Sequence, residues 1–200
     1  MTAAVSSCEK MTLSEGAKSE NDEKGNVVLR VTQFEQTPFD AQTRADVGNV
    51  CTRLCFHIYG EDGIRVSYVN QKQEDSNYGT ASFSLDEGRY VLVVVGHSAS
   101  SNPSFNAHEK VSISGTNLGD TFWCCEEFEV GDDEIELNLR LKRIVSLLRF
   151  IPTDNKPENM NQVIFSYKGS KGTFDGLTGY GSTHTSQTVK LDVDSDANQY

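Results

Sequence analysis

Two hundred residues suit one large domain or two small ones. The chain is 24% charged and 36% hydrophobic, as folded chains are. Its net charge of −11 works against sequence-independent nucleic-acid binding, which needs Lys and Arg to neutralise phosphates, and against docking on anionic lipid. No apolar run approaches the ~20 residues of a membrane-spanning helix.

The first residues end in Val5-Ser6-Ser7-Cys8, which looks like a bacterial lipobox, the site where a signal peptidase cuts before a cysteine that is then lipidated. A full secretory signal also has a basic start and an apolar core. The residues before Cys8 contain neither, so either Met1 lies inside a longer signal peptide or the lipobox resemblance is chance, and the tether-like stretch that follows favours the first. Glu9 to Lys24 is polar and charged without periodicity, like a solvated tether. Residues 1–24 therefore read as a lipidation site at Cys8 and a flexible tether.

Strand signals begin at Val27, where Val27, Leu29 and Val31 alternate with Val28, Arg30 and Thr32. Thr37 to Asn49 is a polar connection whose Pro38 cannot sit in a central strand. Leu54, Phe56 and Ile58 face one way and Cys55, His57 and Tyr59 the other; Glu61-Asp62-Gly63 then signals a hairpin into Ile64, Val66 and Tyr68. Ala81, Phe83 and Leu85 alternate again. The run Tyr90-Val91-Leu92-Val93-Val94-Val95 is apolar on both faces, mostly β-branched, and bounded by Gly88 and Gly96. It predicts a central strand covered on both sides, with Tyr90, Leu92 and Val94 buried between sheets.

Residues 97–120 read as a long loop or crossover with a short strand near Val111–Ile113, followed by a strand from Phe122 to Val130. Ile135, Leu137, Leu139 and Leu141 alternate with Glu134, Glu136, Asn138 and Arg140, the pattern of a half-buried antiparallel strand. Seven strands between Val27 and Lys142 suit a β-sandwich. A second apolar run, Arg143 to Ile151, follows without a turn, and strands around Val163–Tyr167 and Val189–Val193 complete the tail. Three strands are fewer than a closed sandwich needs. The expected division is thus a β-sandwich at 25–142 and an incomplete second β domain at 143–200. The tail's apolar load marks it as the weakest part of the isolated chain and its assembly surface, completed by further sequence or by a neighbouring subunit's strand.

Chemistry is sparse. Val93-Val94-Val95-Gly96-His97-Ser98-Ala99-Ser100 resembles the approach to a nucleophile elbow, but Ser100 stands where the second glycine is needed and no helix follows, so Ser98 is not expected to be catalytic. Asp192-x-Asp194-x-Asp196 starts like a calcium loop, yet Ala197 occupies the glycine position. The acidic residues from Asp120 to Glu136 suit solvated faces, and His57, His97, His108 and His184 lack metal spacing. Neither a catalytic residue, a metal nor a cofactor is expected. Cys51 and Cys55 lie about 13 Å apart along a strand, too far for a disulfide between them. Small buried thiols are expected, with a bridge from Cys51 or Cys55 to the Cys124–Cys125 region as the other reading.

Five stretches taken together resemble a known family: Thr52–Tyr59, Tyr78–Tyr90, Val94–Ser98, Leu141–Val145 and Thr173-Phe174-Asp175-Gly176-Leu177-Thr178-Gly179-Tyr180-Gly181. In this order they are similar to the FimB-type fimbrial subunit family, the fimbrillin-associated anchor lipoproteins of anaerobic Gram-negative bacteria. The resemblance runs from about Gly25 to Val193. It implies transthyretin-like β-sandwich domains, lipidation at Cys8, no catalysis, a place at the outer membrane facing the cell surface, and fimbrial structural subunits as partners through strand pairing. The alternative is a surface-tethered glycan- or protein-binding module built on the loop His97–Asp120. Phe105 and Trp123 are its candidate aromatic platform, although Trp123 fits the core better.

Overall fold

In the computed structural model, the structure describes residues 25–35, 50–113, 119–146, 153, 157, 160–169, 172–183 and 185–192. Twelve strands are found there: β1 (Val27–Glu35), β2 (Arg53–Gly60), β3 (Arg65–Lys72), β4 (Thr80–Phe83), β5 (Gly88–His97), β6 (Ser104–Ala107), β7 (Lys110–Ser112), β8 (Thr121–Val130), β9 (Ile135–Arg143), β10 (Gln162–Gly169), β11 (Thr173–Phe174) and β12 (Thr185–Asp192). Seven of them form one sheet in the order β3-β2-β5-β8-β9-β1-β4.

That sheet folds over on itself. β8 and β9 pair only at Phe122–Arg143 and Trp123–Lys142, so β3-β2-β5-β8 and β9-β1-β4 face each other across a single core. Leu54, Phe56, Ile58, Leu92, Val94 and Phe122 enter it from one layer, and Val27, Leu29, Val31, Ala81, Leu139 and Leu141 from the other. This is the expected all-β sandwich, and the seven strands anticipated between Val27 and Lys142 are the seven of the sheet. The predicted hairpin is also present. Gly63 takes φ 73°, where a side chain would be strained, and the Asp62 carboxylate accepts the Ile64 N–H at 2.9 Å.

The half-buried pattern of β9 led to an antiparallel expectation, which holds for its short pairing with β8 and not for its long pairing with β1. β9 runs parallel to β1 from Val27↔Ile135 to Glu35↔Lys142, with a bulge between Val31 and Gln33. Alternation reports that one face is buried and carries no information on direction. Tyr90 is a second correction, because it is half-buried. It sits near the open end of β5, tilted against Phe128 at 5.7 Å, and its hydroxyl donates to the Asp86 carbonyl at 2.9 Å. Leu92 and Val94 are fully buried as expected.

The opposite face of β5 is covered too, by a small second sheet in the order β11-β7-β6. Val93 and Val95 of β5, with Tyr59 of β2, pack there against Val111, Ile113 and Phe174. The segment 97–120, expected mostly as loop, supplies two of these strands. The third comes from the tail: Thr173 and Phe174 pair with Ser112 and Val111. Strand pairing therefore crosses the division drawn at 142/143. β10 and β12 form an antiparallel ribbon from Gln162↔Asp192 to Gly169↔Thr185. Its connecting segment, at the closed end, carries β11, so the ribbon is joined to the sandwich through its tip.

Candidate interaction surfaces

The tip segment is held by its own turn. Asp175 Oδ1 accepts the N–H of Leu177 at 2.8 Å, and the Gly179 N–H reaches the Asp175 carbonyl at 2.8 Å. Phe174 is buried in the outer layer, and the indole Nε1 of Trp123 donates to the Gly176 carbonyl at 2.6 Å. Gly179, at φ 73°, lies so close over the Trp123 ring that a Cβ there would come within 2.8 Å of Cε3. The Thr173–Gly181 stretch singled out in the sequence is thus a clasp that closes over Trp123.

This geometry corrects the proposed aromatic platform. Trp123 lies beneath the clasp, and Phe105 stacks on His57 with ring centres 3.5 Å apart. Both side chains are half-buried, so neither is the fully exposed ring that a platform needs. His57 is itself 3% exposed and stacks on Tyr68 at 5.4 Å. Burial, assisted by Arg65, pushes its pKa down to about 3. His97 is buried as well; burial and then Arg53 lower it to about 4. Its Nδ1 accepts the Ala99 N–H at 3.1 Å, and Nε2 lies 3.8 Å from Cys55 Sγ. Both ring nitrogens are engaged, so this imidazole is not free to activate the neighbouring Ser98. Two of the four histidines are core residues by the same logic: an outward-facing position on β2 or β5 is inward-facing for the second sheet. His184 lies outside the described residues.

The four described cysteines are free thiols. Burial drives Cys55 up to about 12 and Cys125 to about 11, which suits inert packing groups. The bridge to the Cys124–Cys125 region is not formed in this structure. Cys8 lies outside the described residues. Asp192 accepts a hydrogen bond from Gln162 Nε2 at 3.2 Å, while Asp194 and Asp196 lie outside the described residues. Among the described residues there is no cluster of His, Cys, Asp and Glu suited to a metal ion. An open depression of about 450 Å³ is lined by Glu61, Arg89, Tyr90, Val91, Glu127, Phe128 and Glu129. Part of the acidic stretch thus faces solvent beside β5, and Arg89 and Glu129 pair loosely across it at 3.8 Å.

The sheet edges hold a different chemistry. β3 and β4 are the two margins of the seven-stranded sheet. β3 and the residue leading into it expose Ile64 (65%), Val66 (51%) and Tyr68 (54%). Arg65 lies over the Tyr68 ring at 4.6 Å. The alternation of Ile64, Val66 and Tyr68 marks a strand correctly, but it conceals that no further described strand covers them. Ile164 and Tyr167 are also exposed on β10, whose ribbon pairs with no other described strand.

Neither a protein-family model nor a curated protein matches the sequence. Solved structures do match in fold. A provisionally assigned polysaccharide-binding protein of Bacteroides thetaiotaomicron superposes with a TM-score of 0.58 at 8% identity, over 81% of this chain and 63% of its own. A provisionally assigned adhesin of Bacteroides ovatus gives 0.54 at 14% identity, over 80% and 61%. The fimbrial anchor protein Mfa2 of Porphyromonas gingivalis superposes less well, with a TM-score of 0.47 at 13% identity, over 81% and 65%. The chain spans less than two thirds of the length of each. At these identities what is shared is the fold.

Proposed function

We propose that this protein is a non-catalytic subunit of a surface fimbria: an outer-membrane lipoprotein, tethered through Cys8, that anchors the polymer or serves as its accessory subunit in adhesion. The observation that carries this is the pair of strand margins beside which no further described strand lies, β3 and the β10–β12 ribbon, with Ile64, Val66, Tyr68 and Ile164 exposed there. An edge of that kind exposes unpaired N–H and C=O groups and is a template for another chain's strand. The resemblance in sequence order to fimbrial anchor lipoproteins supports the assignment, as does the fold shared with the B. ovatus adhesin.

Expression from the genomic locus tests the anchor. The protein should partition with membranes, and Cys8→Ala should release it to the aqueous phase. Unchanged partitioning would remove lipidation from the account. Co-isolation with fimbrial subunits tests the partner. A charge at either margin, Val66→Lys or Ile164→Lys, should weaken it, whereas equal recovery of both variants would rule out strand pairing at these edges. Polysaccharide binding is the second reading, favoured by the B. thetaiotaomicron likeness and by the exposed Tyr68 ring beside Arg65.

A further inference from the structure

β1 and β9 are the first and last strands of the seven-stranded sheet in chain order, and they lie side by side in parallel. Their register begins at Val27↔Ile135 and ends at Glu35↔Lys142. A chain held ahead of residue 25 pulls on β1 at its Val27 end. A chain pulled beyond residue 143 draws β9 from its Arg143 end. These are opposite ends of two parallel strands, so the forces oppose each other along the strand axis. Every ladder hydrogen bond between them is then loaded together, and none can part without its neighbours. Arg30 Nε to Glu136 Oε1 at 2.9 Å and the Thr32 hydroxyl donating to the Leu139 carbonyl at 3.3 Å add cross-strand ties to this pair.

The tail meets the same tension in the opposite geometry. Gln162 and Asp192 are partners at the open end of the β10–β12 ribbon. A pull entering at Asp192 separates the pairs one at a time, each opening before the next is loaded. Beyond the ribbon, β11 is held to β7 by only two register positions, Thr173↔Ser112 and Phe174↔Val111.

We propose that the β1–β9 pair is a mechanical clamp, and that the tail after Arg143 is a softer element that extends before the clamp is loaded. The proposed biological use rests on the reading that the chain is tethered at one end and pulled at the other. The mechanical property does not. Fully drawn out at ~3.5 Å per residue, residues 144–192 span at most roughly 170 Å, and the difference between that span and the tail's folded length would cushion the sandwich against a sudden load. Forced unfolding is governed by the unfolding barrier rather than by equilibrium stability, so the direction of loading decides the outcome even for an unchanged core.

Single-molecule force spectroscopy on the full chain, with Cys8→Ser to remove its thiol, tests this directly. Pulled from the two termini, the protein should release the tail in low-force steps totalling less than the tail's extended span of about 170 Å, followed by one high-force rupture of the sandwich. A Glu35→Cys variant provides the contrast, because Glu35 is exposed at the far end of β1. Handles at residue 35 and the C-terminus load both strands from the same end and should unzip them at a force several-fold lower. Equal rupture forces in the two geometries would overturn the clamp, and so would a sandwich that opens before the tail. Either result is separate from the fate of the anchor, which Cys8→Ala partitioning reads by itself.

Discussion

Gly179→Ala should open the clasp while leaving the sandwich folded. Gly179 takes φ 73°, a left-handed conformation that costs an ordinary residue about 1–2 kcal/mol. The added methyl would also stand 2.8 Å from Trp123 Cε3 and 3.0 Å from two further ring atoms, closer than side chains tolerate. The ring must tilt, which endangers the Nε1 hydrogen bond to Gly176 O, worth about 0.5–1.5 kcal/mol net. Together these lower the free energy of local opening by roughly 2–3 kcal/mol, or about 30- to 150-fold in the opening equilibrium. Hydrogen exchange should accelerate by that factor at Asp175, Ser182 and Ile113, whose N–H groups bond Tyr180, Thr173 and Gly172. Trp123 is the only tryptophan in the chain, so its emission should shift to the red as the cover lifts. Val91–Val95 should keep its slow exchange. Gly131→Ala, where an added Cβ meets nothing within 4 Å, serves as the control and should stay within about 0.5 kcal/mol of the parent. Unchanged exchange at Ile113 and Ser182 would refute the clasp, as would an equal loss of protection at Val91–Val95.

Leu92→Ala, at a fully buried core position, should cost about 2–5 kcal/mol through lost burial and a residual cavity; a urea midpoint shifted by less than ~0.5 kcal/mol equivalent would contradict its central place. The buried histidines should make the fold acid-sensitive. His57 and His97 stay neutral in the native state down to about 3 and about 4, while in the unfolded chain they take up protons near 6.5. The stability they allow is therefore present above pH 6.5 and is lost as pH falls towards those values, at about 1.4 kcal/mol per pH unit for each. His57→Phe keeps a ring between Phe105 and Tyr68 and should remove about half of this loss between pH 7.5 and 5.5. Identical pH dependence in the variant would contradict the assignment.

Much of this architecture is legible in the residues, and the parts that are not have a common cause. The two-sided apolar run Tyr90–Val95 announces a strand needing cover on both faces, and one-sided alternation finds β1, β4 and β9. Each of these signals belongs to a strand and its own faces. Direction belongs to a pair, so the parallel run of β1 beside β9 left no trace in either segment. Edge status belongs to the whole sheet. Ile64, Val66 and Tyr68 therefore looked like any other half-buried strand, although their exposure makes β3 a candidate interaction margin. Phe105 and Trp123 lie in or beside the polar segment 97–120, which marks them as aromatic candidates. Their partial cover depends on His57 and on Gly176 and Gly179, residues far away in the chain.

The cover over β5 explains why composition and energetics divide this chain differently. By composition the break near 143 is reasonable: a clean strand ends at Arg143 and a new apolar run begins. Yet Val93, Val95, Trp123 and Cys125 face outward from the first sandwich layer, and an outward apolar face must be sealed. β6 and β7 supply part of that seal from the segment between β5 and β8. Phe174 and the clasp over Trp123 supply the remainder from thirty residues beyond the break. The strand that needs cover and the segment that provides it are thus on opposite sides of the covalent boundary. Tension drawn through the tail would have to strip this seal from the outer face before it reached β9. The order of events under load follows from that topology: ribbon, clasp, then the parallel β1–β9 pair within one layer of the sandwich.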